Sequence, residues 1–163
     1  MPLCCVHEAL QVVMGWSDSH MHRFEKKGVC WGVPDDDEFN ELDLIDERKT
    51  LLAQVLKSKG DSMVYLYDFG EDWRHQVTLE KIMPMGAGVN TPVCLGGRRR
   101  CPPESVGGIS GYQEFLKFIG DPSHRNYEPF IHWAGDLFHA DEFNRTTVNT
   151  ILSRMQWPIR DRR

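Results

Sequence analysis

Tyr65-Leu66-Tyr67-Asp68-Phe69-Gly70-Glu71-Asp72-Trp73-Arg74-His75 is the stretch on which the fold reading turns. Ahead of the acidic part, Met63 to Tyr67 is rich in the aromatic and branched residues that suit strands. Behind it, Trp73, His75, Val77 and Leu79 alternate with Arg74, Gln76, Thr78 and Glu80, the period of two of a half-buried strand. Gly70 allows positive φ, so the pattern predicts two strands joined by a tight acidic turn. Asp68, Glu71, Asp72 and His75 are then expected together at one end of a sheet.

Outward from this hairpin the chain alternates helices and short extended pieces. Val6, Ala9, Leu10, Val13 and Met14 fall at helical spacing, which predicts an amphipathic helix from Pro2 to Gly15. His20 to Trp31 reads as a second hairpin turning at Lys26-Lys27-Gly28, with His20, His22 and Phe24 on one face. The run Asp35-Asp36-Asp37-Glu38 is expected to be a solvated acidic loop. Asp46 is expected to cap a helix that carries Leu51, Leu52, Val55 and Leu56 and ends at Gly60. Met83 to Val93 reads as loop, and Cys94 to Gly111 as irregular, because Pro102-Pro103 and Gly107-Gly108 oppose regular structure.

Tyr112, Phe115, Leu116 and Ile119 form the stripe of a third helix closed by Gly120. Phe130 to Phe138 reads as a short extended segment, with Trp133-Ala134-Gly135-Asp136 as an alternative turn. Asp141 is expected to cap a last helix carrying Phe143, Thr147, Val148, Ile151, Leu152 and Met155. The expected class is α+β: a small, mostly antiparallel sheet packed with about four helices, in a single domain over residues 1–163.

Several pieces together carry a family resemblance. Tyr65-x-Tyr67-Asp68-Phe69-Gly70-Glu71-x-Trp73-x-His75 resembles the signature of the plasmid pRiA4b ORF-3-like family. Three further matches follow: Gly15-Trp16 with His20-Met21-His22-x-Phe24, Pro102-Pro103-Glu104-x-Val106-Gly107-Gly108-x-x-Gly111-Tyr112, and Phe143 with Val148-Asn149. The resemblance implies a fold more firmly than an activity; the family carries a mobile-element passenger or resolvase-like label. It also implies a strand before the first helix that this sequence does not offer. The sheet edge this would leave suggests homodimerisation, strand to strand. Ser105 stands where relatives have a second acid after Pro-Pro-Glu.

Bulk properties narrow the partners. At 163 residues with 40% apolar and 26% charged content, the chain can bury a genuine core. A net charge of −5 speaks against a surface that is basic all round. Arg98-Arg99-Arg100 and Arg160-Asp161-Arg162-Arg163 are nonetheless concentrated basic stretches. Five cysteines without regular spacing make no disulfide framework or zinc signature, and no secretory or membrane-spanning run is evident. A cytoplasmic protein with reduced thiols and no membrane partner is the expectation. No phosphate loop, dinucleotide fingerprint, nucleophile elbow or His-Glu-x-x-His occurs in the sequence. No serine in an arginine-rich catalytic setting supports a recombinase.

Two functional readings follow. In the first, Arg98, Arg99 and Arg100 with the amides of Gly107 and Gly108 contact an anionic ligand, nucleic acid among them, in a binding or accessory module. Trp73 and Tyr112 line its surroundings, a mobile-element protein is the expected partner, and the acidic hairpin is architecture. In the second, the chain is a metal-dependent hydrolase. Asp68, Asp72 and His75 then do acid/base work with Glu104 as general base, and His20, His22, Asp72 and His75 hold a divalent metal as cofactor.

Overall fold

The computed structural model describes residues 1–34, 43–84, 91–135 and 138–158. Within them lie five strands, β1 (His22–Lys26), β2 (Val29–Gly32), β3 (Leu44–Asp46), β4 (Ser62–Tyr67) and β5 (Trp73–Thr78). Five helices accompany them: α1 (Leu3–Met14), α2 (Leu52–Val55), α3 (Gly108–Ile119), α4 (Tyr127–Ala134) and α5 (Arg145–Arg154). The strands form one sheet in the order β3-β2-β1-β4-β5, antiparallel except for the parallel β2–β3 pair.

Register decides which side chains go inside. Phe24 lies opposite Trp31 on β2 and Tyr65 on β4, and Tyr65 lies opposite His75. One step along, His22 faces Tyr67 and Tyr67 faces Trp73. Opposite residues share a face, so both rows point to the same side of the sheet. That side is covered by α1 through Leu3, Val6 and Leu10, and Leu3, Phe24 and Tyr65 are fully buried. The reverse side carries Arg23, Glu25 and Arg74, with Arg23 and Arg74 paired to Glu25 and Leu66 buried among them. The other flank of α1 meets α5, where Cys5, Val148, Leu152 and Trp157 make a second apolar cluster. Layering of sheet, α1 and α5 follows from α1 having apolar residues on two faces.

Both expected hairpins and the first and third helices are present. The acidic turn reaches positive φ at Asp68 (55°) and Asp72 (54°) rather than at Gly70. Asp68 makes this tolerable by accepting from the Gly70 and Glu71 amides, a local side-chain turn.

Five expectations are corrected. Asp46 ends β3 instead of capping a helix, and its carboxylate accepts from the Arg48 amide and guanidinium. The helix beyond it is the single turn Leu52–Val55, and Gly60 sits at φ 91° donating to Leu79 ahead of β4. The irregular stretch after Cys94 ends earlier than Gly111, since α3 begins at Gly108. Phe130 to Ala134 is helical, not extended, within α4; Pro129 lies in that helix's first turn, where its missing N–H is not needed. Finally, Asn144 and not Asp141 caps α5, accepting from the Thr147 amide. Asp35 to Glu38 and Arg160 to Arg163 lie outside the described residues, as does the middle of the 83–93 loop.

Candidate functional site

The segment joining α1 to β1 is where the signature residues meet. Gly15 ends α1 at φ 75°, which sends Trp16 back over the sheet. Its indole stacks on Tyr67 (4.7 Å between ring centres), meets His75 edge-on (5.4 Å) and leans on Trp73 (6.2 Å). The indole N–H donates to the Pro102 carbonyl at 2.9 Å, which ties the Pro102-Pro103-Glu104 segment down. Glu104 completes the seam. Its carboxylate accepts from the Ser17 amide and hydroxyl, the Ser19 hydroxyl and the Tyr67 phenol, while Tyr67 accepts from the Ser19 amide.

Burial alone would raise the Glu104 pKa, but the bonds from Ser17, Tyr67 and Ser19 outweigh it and hold the carboxyl below its usual 4.5. The sign of the pH effect follows. Because the folded carboxyl is the stronger acid, the seam contributes its full stability above the unfolded pKa and loses it as pH falls through the depressed folded value. Acidification from about pH 6 to pH 3 is therefore expected to lower the melting temperature of wild type more than that of Glu104→Gln. Parallel melting curves of the two proteins across that range measure the difference.

Glu71 makes a second strap from the hairpin. One oxygen accepts from the Trp73 indole at 2.8 Å and the other from the Gly107 amide at 2.6 Å. A carboxylate at the start of α3 also suits the positive end of the helix dipole. The Gly107 amide is thus already engaged, and a Cβ on Gly108 would lie 2.9 Å from the Glu71 carbonyl oxygen. Tyr112 packs into the core beside Phe115, with its phenol pKa raised by burial.

Beneath α1 lies a buried polar network built on a residue pair that sequence reasoning missed. His7 and Gln11, four apart on α1, both face the sheet. The His7 ring stacks on that of His22, centres 3.4 Å apart and planes within 3°. Its Nδ1 contacts the Tyr65 hydroxyl at 2.8 Å and its Nε2 the Asp18 carboxylate at 2.8 Å. Gln11 donates to the Tyr65 hydroxyl and accepts from the Asp18 amide. His22 Nε2 contacts Glu47 at 2.9 Å, and Glu47 is only 2% exposed. The proton assignments close on one pattern: Nε2–H of His7 donates to Asp18, and Tyr65 donates to Nδ1. Burial, chiefly, then the nearby His22, lowers the His7 pKa, which agrees with a neutral ring.

Tyr65→Phe leaves His7 Nδ1 without its donor and Gln11 without its acceptor. Its expected cost is about 2 kcal/mol, read from the urea midpoint at unchanged slope.

The hairpin groups are dispersed. Asp72 is exposed and pairs with Arg74, and Asp68 reaches His20 only at 3.6 Å. His75 is half-buried under Trp16 and Tyr65, with burial lowering its pKa. Among the described residues, donor atoms of His, Cys, Asp and Glu come within 4.8 Å of one another at His7, Asp18 and His22. His20, Asp72 and His75 do not join that group.

The arginines lie on the surface. Arg98, Arg99 and Arg100 are all exposed, on a segment anchored at both ends. Cys94 exchanges two hydrogen bonds with the Asn149 side chain, and the Arg100 amide donates to Ala140. Arg99 stands 4.0 Å from Asp141, with side chains 79% and 96% exposed, and the Arg100 guanidinium lies over Phe138. Arg100 also edges a cleft of about 220 Å³ shared with Trp16, Pro102, Glu104 and Phe138. Cys101 in its wall is pushed up to about 12 by burial and is no nucleophile.

An α+β domain whose signature residues assemble one internal seam is the class defined by these observations. The chain belongs to the plasmid pRiA4b ORF-3-like protein family, whose sequence model matches residues 1–147. It is similar to the uncharacterized protein y4hQ of Sinorhizobium fredii, 38% identical over 130 residues, 80% of this chain and 66% of that protein. The chain thus spans slightly less than two thirds of that relative. It also resembles the crystal structure of a protein of unknown function, MM3350, from Methanosarcina mazei Go1. That likeness has a TM-score of 0.78 and 35% identity, covering 88% of this chain and 81% of the other. Among the described residues no helix is long and apolar enough to cross a membrane.

Proposed function

We propose that this chain is a cytoplasmic binding module for a phosphate-bearing polymer, with a nucleic-acid strand as the ligand and Arg98 and Arg99 as the primary contacts. The observation that carries the reading is the exposure of these arginines on a segment whose backbone is fixed at Cys94 and Arg100. A pre-positioned cationic segment needs little ordering on binding. Among the described residues, the ion pair Arg99 would give up is a 4.0 Å contact to a well-exposed carboxylate. The net charge of −5 keeps the contact local and salt-sensitive.

The acidic hairpin serves this module as architecture. Asp68 holds its own turn and Glu71 holds the Gly107 amide, which is therefore already engaged. Arg100 has a structural share through Phe138, which makes Arg98→Ala/Arg99→Ala the cleaner test. Fluorescence anisotropy with a labelled single strand at low salt is expected to show binding by wild type and at least about a ten-fold loss in the double variant, a loss of roughly 1.4 kcal/mol. Equal binding by the two proteins would remove the assignment.

A further inference from the structure

We infer that His7, Asp18 and His22 form a binding site for a divalent first-row transition metal, independent of the arginine segment. Three donors reach the site from different parts of the chain: helix α1, the connection after Trp16, and strand β1. Their donor atoms span at most 4.8 Å. A tetrahedral site with bonds of about 2.0–2.1 Å sets its ligands about 3.3 Å apart. The stacked, parallel rings of His7 and His22 must swing apart for both in-plane lone pairs to reach one ion, and the Asp18 carboxylate turns to meet it.

The surroundings are those a metal site uses. Ligating imidazoles have their second nitrogen fixed by an outer hydrogen bond, which orients the ring. Metal at His7 Nε2 takes the other tautomer: the ring proton moves from Nε2 to Nδ1, which then donates to the Tyr65 hydroxyl, itself held by Gln11. Buried Glu47 contacts His22 Nε2 and leaves Nδ1. Asp18 is held from behind by its amide bond to Gln11, and its side chain is 57% exposed. That exposure supplies an entry path and a solvent-facing coordination position. Two imidazoles and one carboxylate with an open position suit zinc, cobalt or ferrous ions and do not suit calcium or magnesium.

The test uses Co²⁺ as probe on the chelator-treated full chain, followed by its visible d–d absorption, with Zn²⁺ added as competitor. One Co²⁺ per chain is expected, displaced by Zn²⁺. Asp18→Asn, half-exposed and near-isosteric, is expected to keep the fold by circular dichroism yet weaken Co²⁺ by at least about ten-fold. Glu47→Gln is expected to weaken it by about ten- to hundred-fold through the ring it orients. His20→Gln and His75→Gln are expected to leave it unchanged. Absence of Co²⁺ binding to wild type, or equal binding by wild type and folded Asp18→Asn, would overturn the assignment.

Discussion

Gly111→Ala is expected to destabilise the protein by about 3 kcal/mol or more, roughly 6–12 °C in melting temperature for a domain of this size. A Cβ at this position would lie 2.0 Å from the Val106 carbonyl oxygen and 2.9 Å from its carbon. Both are backbone atoms, so no side-chain rotation relieves the overlap. Val106 is fixed in turn, because Glu71 holds the Gly107 amide and Gly107 accepts from Gly111 to start α3. The whole entry of the helix would have to shift away from the hairpin. Gly96→Ala is the matched control, since a Cβ there meets nothing within 4 Å, and its effect is expected within about 0.5 kcal/mol. Urea unfolding of the three proteins separates the outcomes. A Gly111→Ala protein as stable as Gly96→Ala would mean that the Val106–Gly111 approach is wrong.

Glu47→Ala is expected to cost about 3 kcal/mol, while Glu47→Gln costs about 1. Glu47 is 2% exposed and its side chain contacts His22 Nε2. The alanine leaves a buried ring nitrogen without a partner and opens space under α1. The glutamine keeps an oxygen that can accept, so only the change of charge remains. The backbone of Glu47 is a separate anchor, donating to Gly32 and accepting from Leu3, and neither substitution touches it. Equal costs for the two variants, measured by urea unfolding, would show that charge and not the hydrogen bond carries the stability.

The parts of the fold legible in the sequence are those where one local signal governs. Alternation in β5 and the stripes of α1 and α3 report burial directly, and the Lys27-Gly28 turn has positive φ at both residues. Elsewhere two local signals compete. Asp46 looks like a helix cap, but the same carboxylate serves equally well in a side-chain turn with Arg48, and β3 has only three residues to declare itself. In α4 the aromatic run Phe130 to Trp133 resembles a strand, and its helical state rests on packing of Phe130 and Trp133 around Phe115. Strand propensity of this kind yields to tertiary contacts.

The seam was legible as motifs but not as a meeting place. Gly15-Trp16, the hairpin aromatics and Pro102 to Gly107 stand far apart in sequence, and only the fold shows Trp16 and Glu104 joining them. The imidazole network has a trace in the sequence. His7 and Gln11 are four apart, inside a stripe with Leu3, Leu10 and Met14. A polar pair at that spacing on an apolar face needs internal partners. Which partners they are depends on the register that sets His22 beside Tyr65, and that lies beyond one sequence.

Salt dependence of strand binding tests the central claim most directly. Each phosphate contact contributes about −0.7 to the slope of log K against log salt for a single strand. With Arg98 and Arg99 as primary contacts and Arg100 adjoining, wild type is expected to show a slope of about −1.5 to −2. Arg98→Ala/Arg99→Ala is expected to fall to about −0.7 or less at the same protein stability. A slope unchanged by that substitution, or no binding by wild type at low salt, would contradict the assignment of this segment as the phosphate contact.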